Sequence, residues 1–291
     1  MVVLLWGASG CAPQKAPAAA PAEPNQGPAA GAANPGPAPA AGVNKVEFEM
    51  MTWPEVKAAL GSGKTTALVY TGGTEHRGPQ NVNGGHNLMA RETVRAIAIK
   101  LGNAIALPVL PYTPNNASAA LPGTIGLTNE LLAAVLERIS EQAIVTGFKN
   151  VILMGDHGGG QPNIYRDTAK KLDDKYAAKG IHVYYCDEVY SKRMADFDAY
   201  LTSQKLPAGG HATIGDTSEM LYLGGDKGWV RKDLIKTAVA PPRGEPSNGV
   251  SGDGRASTAQ LGKRVFDMKV DYAVRQIQQF LAAANSQGRG R

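Results

Sequence analysis

From residue 45 onward, apolar positions follow two alternating patterns. Thr66–Tyr70, Ala104–Leu110, Val151–Met154 and Ile181–Cys186 are short apolar or β-branched runs, each bounded by Gly, Pro, Asn or Asp. They read as buried strands, because a strand covered on both faces needs a continuous apolar run. Between the second and third runs, Leu132, Val135, Leu136, Ile139 and Ala143 recur at three- and four-residue steps, and Gly147 follows. That is the pattern of an amphipathic helix closed by glycine. Two further helices are expected, from Gln161 to Ala178 and from Thr258 to Ala284, the latter on the spacing of Leu261, Val265, Met268, Ala273, Ile277 and Leu281. Strands alternating with helical segments argue for an α/β domain on a largely parallel sheet.

Ahead of residue 45 both patterns stop. Residues 12–44 are almost entirely Ala, Pro, Gly and Asn; with few large apolar side chains to offset the cost of ordering, they read as a flexible spacer. In residues 1–11 an apolar run, Met1 to Trp6, leads into Ala8-Ser9-Gly10-Cys11, which resembles a truncated bacterial lipoprotein signal. The resemblance implies an exported protein, periplasmic or anchored to the membrane through a lipid on Cys11, with the spacer holding the domain clear of the bilayer. No other stretch is long and apolar enough to span a membrane. Residues 45–285 form the expected domain, and 286–291 a frayed tail.

Composition narrows the function. A 43% hydrophobic content over 291 residues supports one sizeable core. The net charge of +5 is spread along the chain without interleaved aromatics, which argues against nucleic acid as a partner. Two cysteines, Cys11 and Cys186, make no disulfide framework. Cys186, in an apolar strand, reads as packing. There is no Gly-x-Ser-x-Gly nucleophile elbow. Gly63-Lys64-Thr65 imitates the end of a phosphate loop, but it precedes a strand and Ala58 holds the position of the first glycine.

The chemistry concentrates where strands end. Thr71-Gly72-Gly73-Thr74-Glu75-His76-Arg77-Gly78-Pro79 follows the first strand, and Gly155-Asp156-His157-Gly158-Gly159-Gly160 follows the third. Ligands of open parallel sheets bind beyond the carboxyl ends of the strands. Carboxylate and imidazole beside glycine suit a zinc, manganese or iron site. Of five histidines, His76, His86, His157 and His211 lie in Gly-rich segments and only His182 lies inside a strand.

Taken in order, these segments resemble the creatininase (creatinine amidohydrolase) family. Gly72–Pro79 followed by Gly84-Gly85-His86-Asn87 is similar to that family's Gly-Ser-x-Glu-Gln-His-Gly-Pro-His with its downstream Gly-Thr-Asp. Leu121-Pro122-Gly123-Thr124-Ile125 resembles Phe-Pro-Gly-Thr-Ile, and Gly155–Gly159 resembles Asn-Gly-His-Gly-Gly-Asn. His211-Ala212-Thr213-Ile214-Gly215-Asp216-Thr217-Ser218 resembles His-Ala-Gly-Glu-x-Glu-Thr-Ser, and Gly249-Val250-Ser251-Gly252-Asp253 the loop before the last helix.

The resemblance implies a three-layer αβα fold and a divalent metal, zinc ahead of manganese or iron. It places ligands at Glu75, His86, His157 and Asp216, and sets His211 beside the reacting amide. His211 is the first candidate for moving protons and Asp156 the second, with Asp156 also able to orient His157. Arg77 stands where the family has a histidine, so either His76 substitutes or a ligand is lost. His86 replaces a bridging aspartate, which favours one ion over two. Gln80 and Gly160 also depart from the pattern and argue against creatinine as substrate. The reading is therefore a hydrolase of a non-peptide C–N amide bond in a small molecule, in a homo-oligomer that by resemblance is a hexamer. The alternative is a lipoprotein that binds a ligand or metal on the same fold without turnover.

Overall fold

The structure is a computed structural model that describes residues 45–115, 120–158 and 161–289; the signal-like start and the spacer lie outside the described residues. The chain divides after Ala41, and everything below belongs to the second unit. Its helices are α1 (Trp53–Gly61), α2 (Gly85–Leu101), α3 (Asn129–Thr146), α4 (Gln161–Tyr176), α5 (Ser191–Ser203), α6 (Ile214–Gly224) and α7 (Ala259–Arg289). Its strands are β1 (Thr66–Thr71), β2 (Ala104–Ala106), β3 (Asn150–Gly155) and β4 (His182–Tyr185).

These four strands pair in parallel, in the order β2-β1-β3-β4. β1 is buried along its whole length, and successive side chains go to opposite faces. Leu68 and Tyr70 join Ile152 and Met154 under α2 and α7, packed by Val94, Ile97, Ala273 and Ile277. Ala67 and Val69 join Val151 and Leu153 under α3 and α4, packed by Leu132, Leu136, Tyr165 and Leu172. Helices thus cover both faces, which gives the three-layer αβα sandwich expected.

Strand order reverses direction between β1 and β3, since β2 lies on one side of that pair and β4 on the other. Register carries the pairing to Thr71 opposite Gly155. The segments leaving these two residues therefore emerge side by side at the switch point, where a parallel sheet leaves a crevice.

Some boundaries differ from the sequence expectation. β2 ends at Ala106 instead of Leu110, because Pro108 has no N–H to continue a ladder; Leu110 N rejoins Tyr70 O at 3.0 Å. α3 ends at Thr146 and is capped by Gly147, whose φ of 122° favours glycine. Four helices, α1, α2, α5 and α6, join the three that periodicity predicts. Among the described residues, no helix is long and apolar enough to cross a membrane.

α6 and α7 pack so closely that a Cβ on Gly262 would sit 1.8 Å from Ser218 O. Gly262→Ala is therefore expected to lose about 1–3 kcal/mol of stability. Gly61→Ala, where nothing lies within 4 Å, should be neutral or gain up to about 1 kcal/mol. Urea denaturation of the two variants checks both; equal midpoints would refute the close packing of α6 on α7.

Candidate metal centre

Glu75 lies in the loop that leaves β1, and that loop is tied down by a second one. Ile125 N donates to Thr74 O at 3.0 Å, and His76 N to Thr124 Oγ1 at 3.1 Å. Gly73 N donates to Asn87 Oδ1 at 2.8 Å, and a Cβ on Gly73 would strike His157 Nε2 at 2.3 Å. His86 comes from the first turn of α2, and His157 from the segment that follows β3.

These three side chains converge. His86 Nε2 is 3.0 Å from Glu75 Oε1, and His157 Nδ1 is 3.9 Å from Glu75 Oε2. The imidazole centroids are 3.9 Å apart, and one donor atom from each residue lies within 4.8 Å of the others. Donors that each hold zinc at roughly 2.0–2.2 Å are separated by such distances. Burial lowers the pKa of both histidines, helped at His86 by the Arg77 guanidinium, so both rings are neutral, which is the ligating form. Their remaining nitrogens, His86 Nδ1 and His157 Nε2, are buried with no hydrogen-bond partner among the described residues. The donor set fits a divalent ion, and two histidines with one carboxylate is a set that leaves a position open for chemistry.

Asp216 is engaged elsewhere. Arg77, with no solvent exposure, places Nη1 3.3 Å from Glu75 Oε1 and Nη2 2.8 Å from Asp216 Oδ1. The other Asp216 oxygen accepts from Ala212 N at 2.9 Å. Burial opposes ionisation of Asp216, but Arg77, together with His86, His211 and Arg193, holds the carboxyl well below the usual range. Asp216 thus lies beside the donor cluster but outside it, and the fixed charge of Arg77 sits between two carboxylates. Gly85 makes room for this side chain, since a Cβ there would meet Arg77 Cδ at 3.1 Å.

His76 also stays outside the cluster. Its ring packs edge-on against His211, with centroids 5.5 Å apart, and its Nδ1 faces Gly249. Its carbonyl oxygen accepts from His211 Nε2 at 2.8 Å. Because a carbonyl can only accept, Nε2 carries the proton and Nδ1 is left facing Glu75 Oε1 at 3.7 Å. Residues 249–252 hold His211 by its backbone: His211 N donates to Ser251 Oγ at 2.8 Å, and Ser251 N to His211 O at 3.1 Å. The five segments singled out in the sequence thus build one place, a cleft of about 570 Å³ onto which Glu75, His86, Asp156, His157, His211 and Asp216 open.

Asp156 forms part of a buried charge network that the sequence reading did not anticipate. Tyr70 donates to its Oδ1 at 2.7 Å and Lys269 to its Oδ2 at 3.1 Å, and Lys269 also pairs with Glu219 at 2.8 Å. Burial works to raise the Asp156 pKa, but Lys269 and neighbouring cations bring it down to about 2; burial pushes Glu219 up despite Lys269. The signal for Lys269 was present in the sequence: Val265, Lys269, Ala273 and Ile277 form one i, i+4 row, and all four are at most 1% exposed.

A parallel αβα sandwich with a two-histidine, one-carboxylate cluster at its switch point defines a metal-capable α/β protein. Comparison with known proteins is more specific. The family model described as creatinine amidohydrolase matches residues 49–277, and the chain belongs to the creatininase family. Solved structures share the fold. A creatinine amidohydrolase (creatininase) is 19% identical, with 81% of this chain and 98% of that chain covered and a TM-score of 0.66. A creatininase with Mn gives 18%, the same coverage and 0.65, and a mutant creatininase of Zn–Zn type 19%, the same coverage and 0.65. No curated protein matches.

The charge network yields a prediction with a definite sign. In the wild type, the depressed Asp156 pKa contributes stability that is present above the ordinary carboxylate pKa of roughly 4 and is lost as pH falls toward 2. Lys269→Met leaves two buried carboxylates without their cation, so it should cost about 3–5 kcal/mol at pH 8. Both carboxyls then gain protons more readily in the folded state, so the deficit should shrink at pH 5. Urea denaturation at the two pH values tests this; a deficit equal at both would show that Lys269 does not compensate those charges.

Proposed function

We propose that the protein is a metal-dependent amidohydrolase that cleaves a non-peptide C–N amide bond, cyclic amides included, in a small molecule other than creatinine. In this reading Glu75, His86 and His157 hold one ion per chain, zinc ahead of manganese or iron. The observation that carries it is the convergence of these three side chains at the switch point, open to the cleft. A divalent ion in such a set supplies Lewis-acid polarisation of a carbonyl and a more acidic water. The protein's own residues do the rest. His211 Nδ1, free because Nε2 is spent on His76 O, accepts a proton and passes it to the leaving nitrogen. Both oxygens of Asp156 are engaged, so Asp156 anchors the end of β3 and leaves proton transfer to His211. Arg77 supplies a permanent positive charge between Glu75 and Asp216, and this supports one ion in preference to two.

The same proposal takes the domain to be exported and tethered at Cys11, on the lipoprotein-like residues 1–11, and to assemble as a homo-oligomer. A binding protein without turnover is the second reading, because Arg77 replaces a ligand type of the first motif.

Elemental analysis of the purified chain should give about one ion per chain, lost in His157→Ala and in His86→Ala. Arg77→His, which removes the fixed charge and adds a donor, should raise the content toward two. Hydrolysis of small amides and formamides should vanish on chelation and return with metal. A metal-loaded protein without hydrolysis supports the binding reading, and a folded wild type that takes up no metal defeats both.

A further inference from the structure

Three cations stand around the cleft, and the protein partners two of them. Arg77 is paired with Glu75 and Asp216, and Lys269 with Asp156 and Glu219. Arg193, in the first turn of α5, lines the same cleft at only 9% exposure. Among the described residues its guanidinium makes no hydrogen bond and has no carboxylate within 4.0 Å, and its Nε is buried without a partner. Its guanidinium carbon lies 5.6 Å from the Tyr190 ring centroid, and Asp156, Asp216 and Glu219 feel its charge only from beyond ion-pair distance. Asp198, which lines the same cleft, accepts from Gly209 N at 3.1 Å and makes no ion pair with Arg193.

A guanidinium taken out of water with no carboxylate in hydrogen-bond contact leaves its donors unanswered, and a cation–π contact does not replace them. The arrangement makes sense when the counter-charge arrives from outside. A guanidinium is a planar fork of donors that matches the paired oxygens of a carboxylate or phosphate. We infer that Arg193 anchors an anionic group, carboxylate or phosphate, on the molecule that enters the cleft, so that the substrate is an amide carrying such a group. Only the word substrate rests on the proposed activity; the anion site itself does not.

The test uses the full chain, metal-loaded and after chelation, titrated with acetate, its neutral analogue acetamide, and inorganic phosphate. Binding is followed by calorimetry and by the Arg193 Nε–H signal in ¹⁵N NMR. Acetate or phosphate should bind at least about tenfold tighter than acetamide and shift that signal, in both forms of the protein. The tighter of the two anions identifies the group. Arg193→Gln should abolish the preference without lowering the melting temperature, and Arg193→Lys should retain part of it. No preference in the wild type, a preference unchanged in Arg193→Gln, or one present only with metal bound would each overturn the inference. A metal-free, inactive protein that still prefers anions keeps the Arg193 site while the hydrolase reading fails. An active metalloenzyme without the preference loses only the Arg193 site.

Discussion

A guanidinium wholly out of water, fixed between Glu75 and Asp216, is the contact on which the centre depends. Two carboxylates brought together in a buried space repel each other and would be driven to take up protons. Arg77 sets a fixed positive charge between them and helps to hold the Asp216 carboxyl well below its usual range. It also connects elements distant in sequence, because Glu75 leaves β1 while Asp216 sits in the first turn of α6 and holds Ala212 N. Ala212 is one of two non-glycine residues with positive φ among those described, at 59°. That sparsely populated backbone is secured by the Asp216 bond and by Gln80, which donates to Ala212 O at 2.8 Å. Arg77 thereby fixes the loop carrying His211 as well as the carboxylate opposite.

Much of this was legible in the sequence because motif and element coincided. Glycine-rich segments carrying acid and imidazole fell directly after two apolar runs, and parallel pairing places two such ends together. The loops around Thr124 and Ser251 carry no chemistry of their own; they were visible only as family-like segments, and their work is to hold His76 and His211 through backbone hydrogen bonds. Less was legible where local signals were weak. α2 begins at Gly84-Gly85 with no side-chain cap, so nothing in the sequence marks its start, although Val94, Ile97 and Ala98 keep helical spacing. The role of Arg77 could not be read from spacing, because a residue's neighbours across the fold are set by tertiary packing; one sequence admitted both a lost ligand and a substituted one.

Charge is distributed through the molecule in a way that separates structural work from recognition. Lys269 is paired with Asp156, at the edge of the cleft, and with Glu219, so its charge is answered within the protein. Arg77 is likewise paired, with Glu75 and Asp216. Arg193, on the wall, is left open. Of the three, only Arg193 faces whatever the cleft admits without a paired carboxylate.

The position of Lys269 in α7 bears on how the centre comes into being. Chains are made from the N-terminus and tend to fold as they emerge. Glu75, His86 and His157 exist long before the helix that neutralises Asp156 and Glu219. The donors of the metal centre are therefore among the earlier parts of the domain to be synthesised and the buried counter-ion beneath them among the last. The final helix completes the charge balance of a site to which the middle of the chain contributes the ligands.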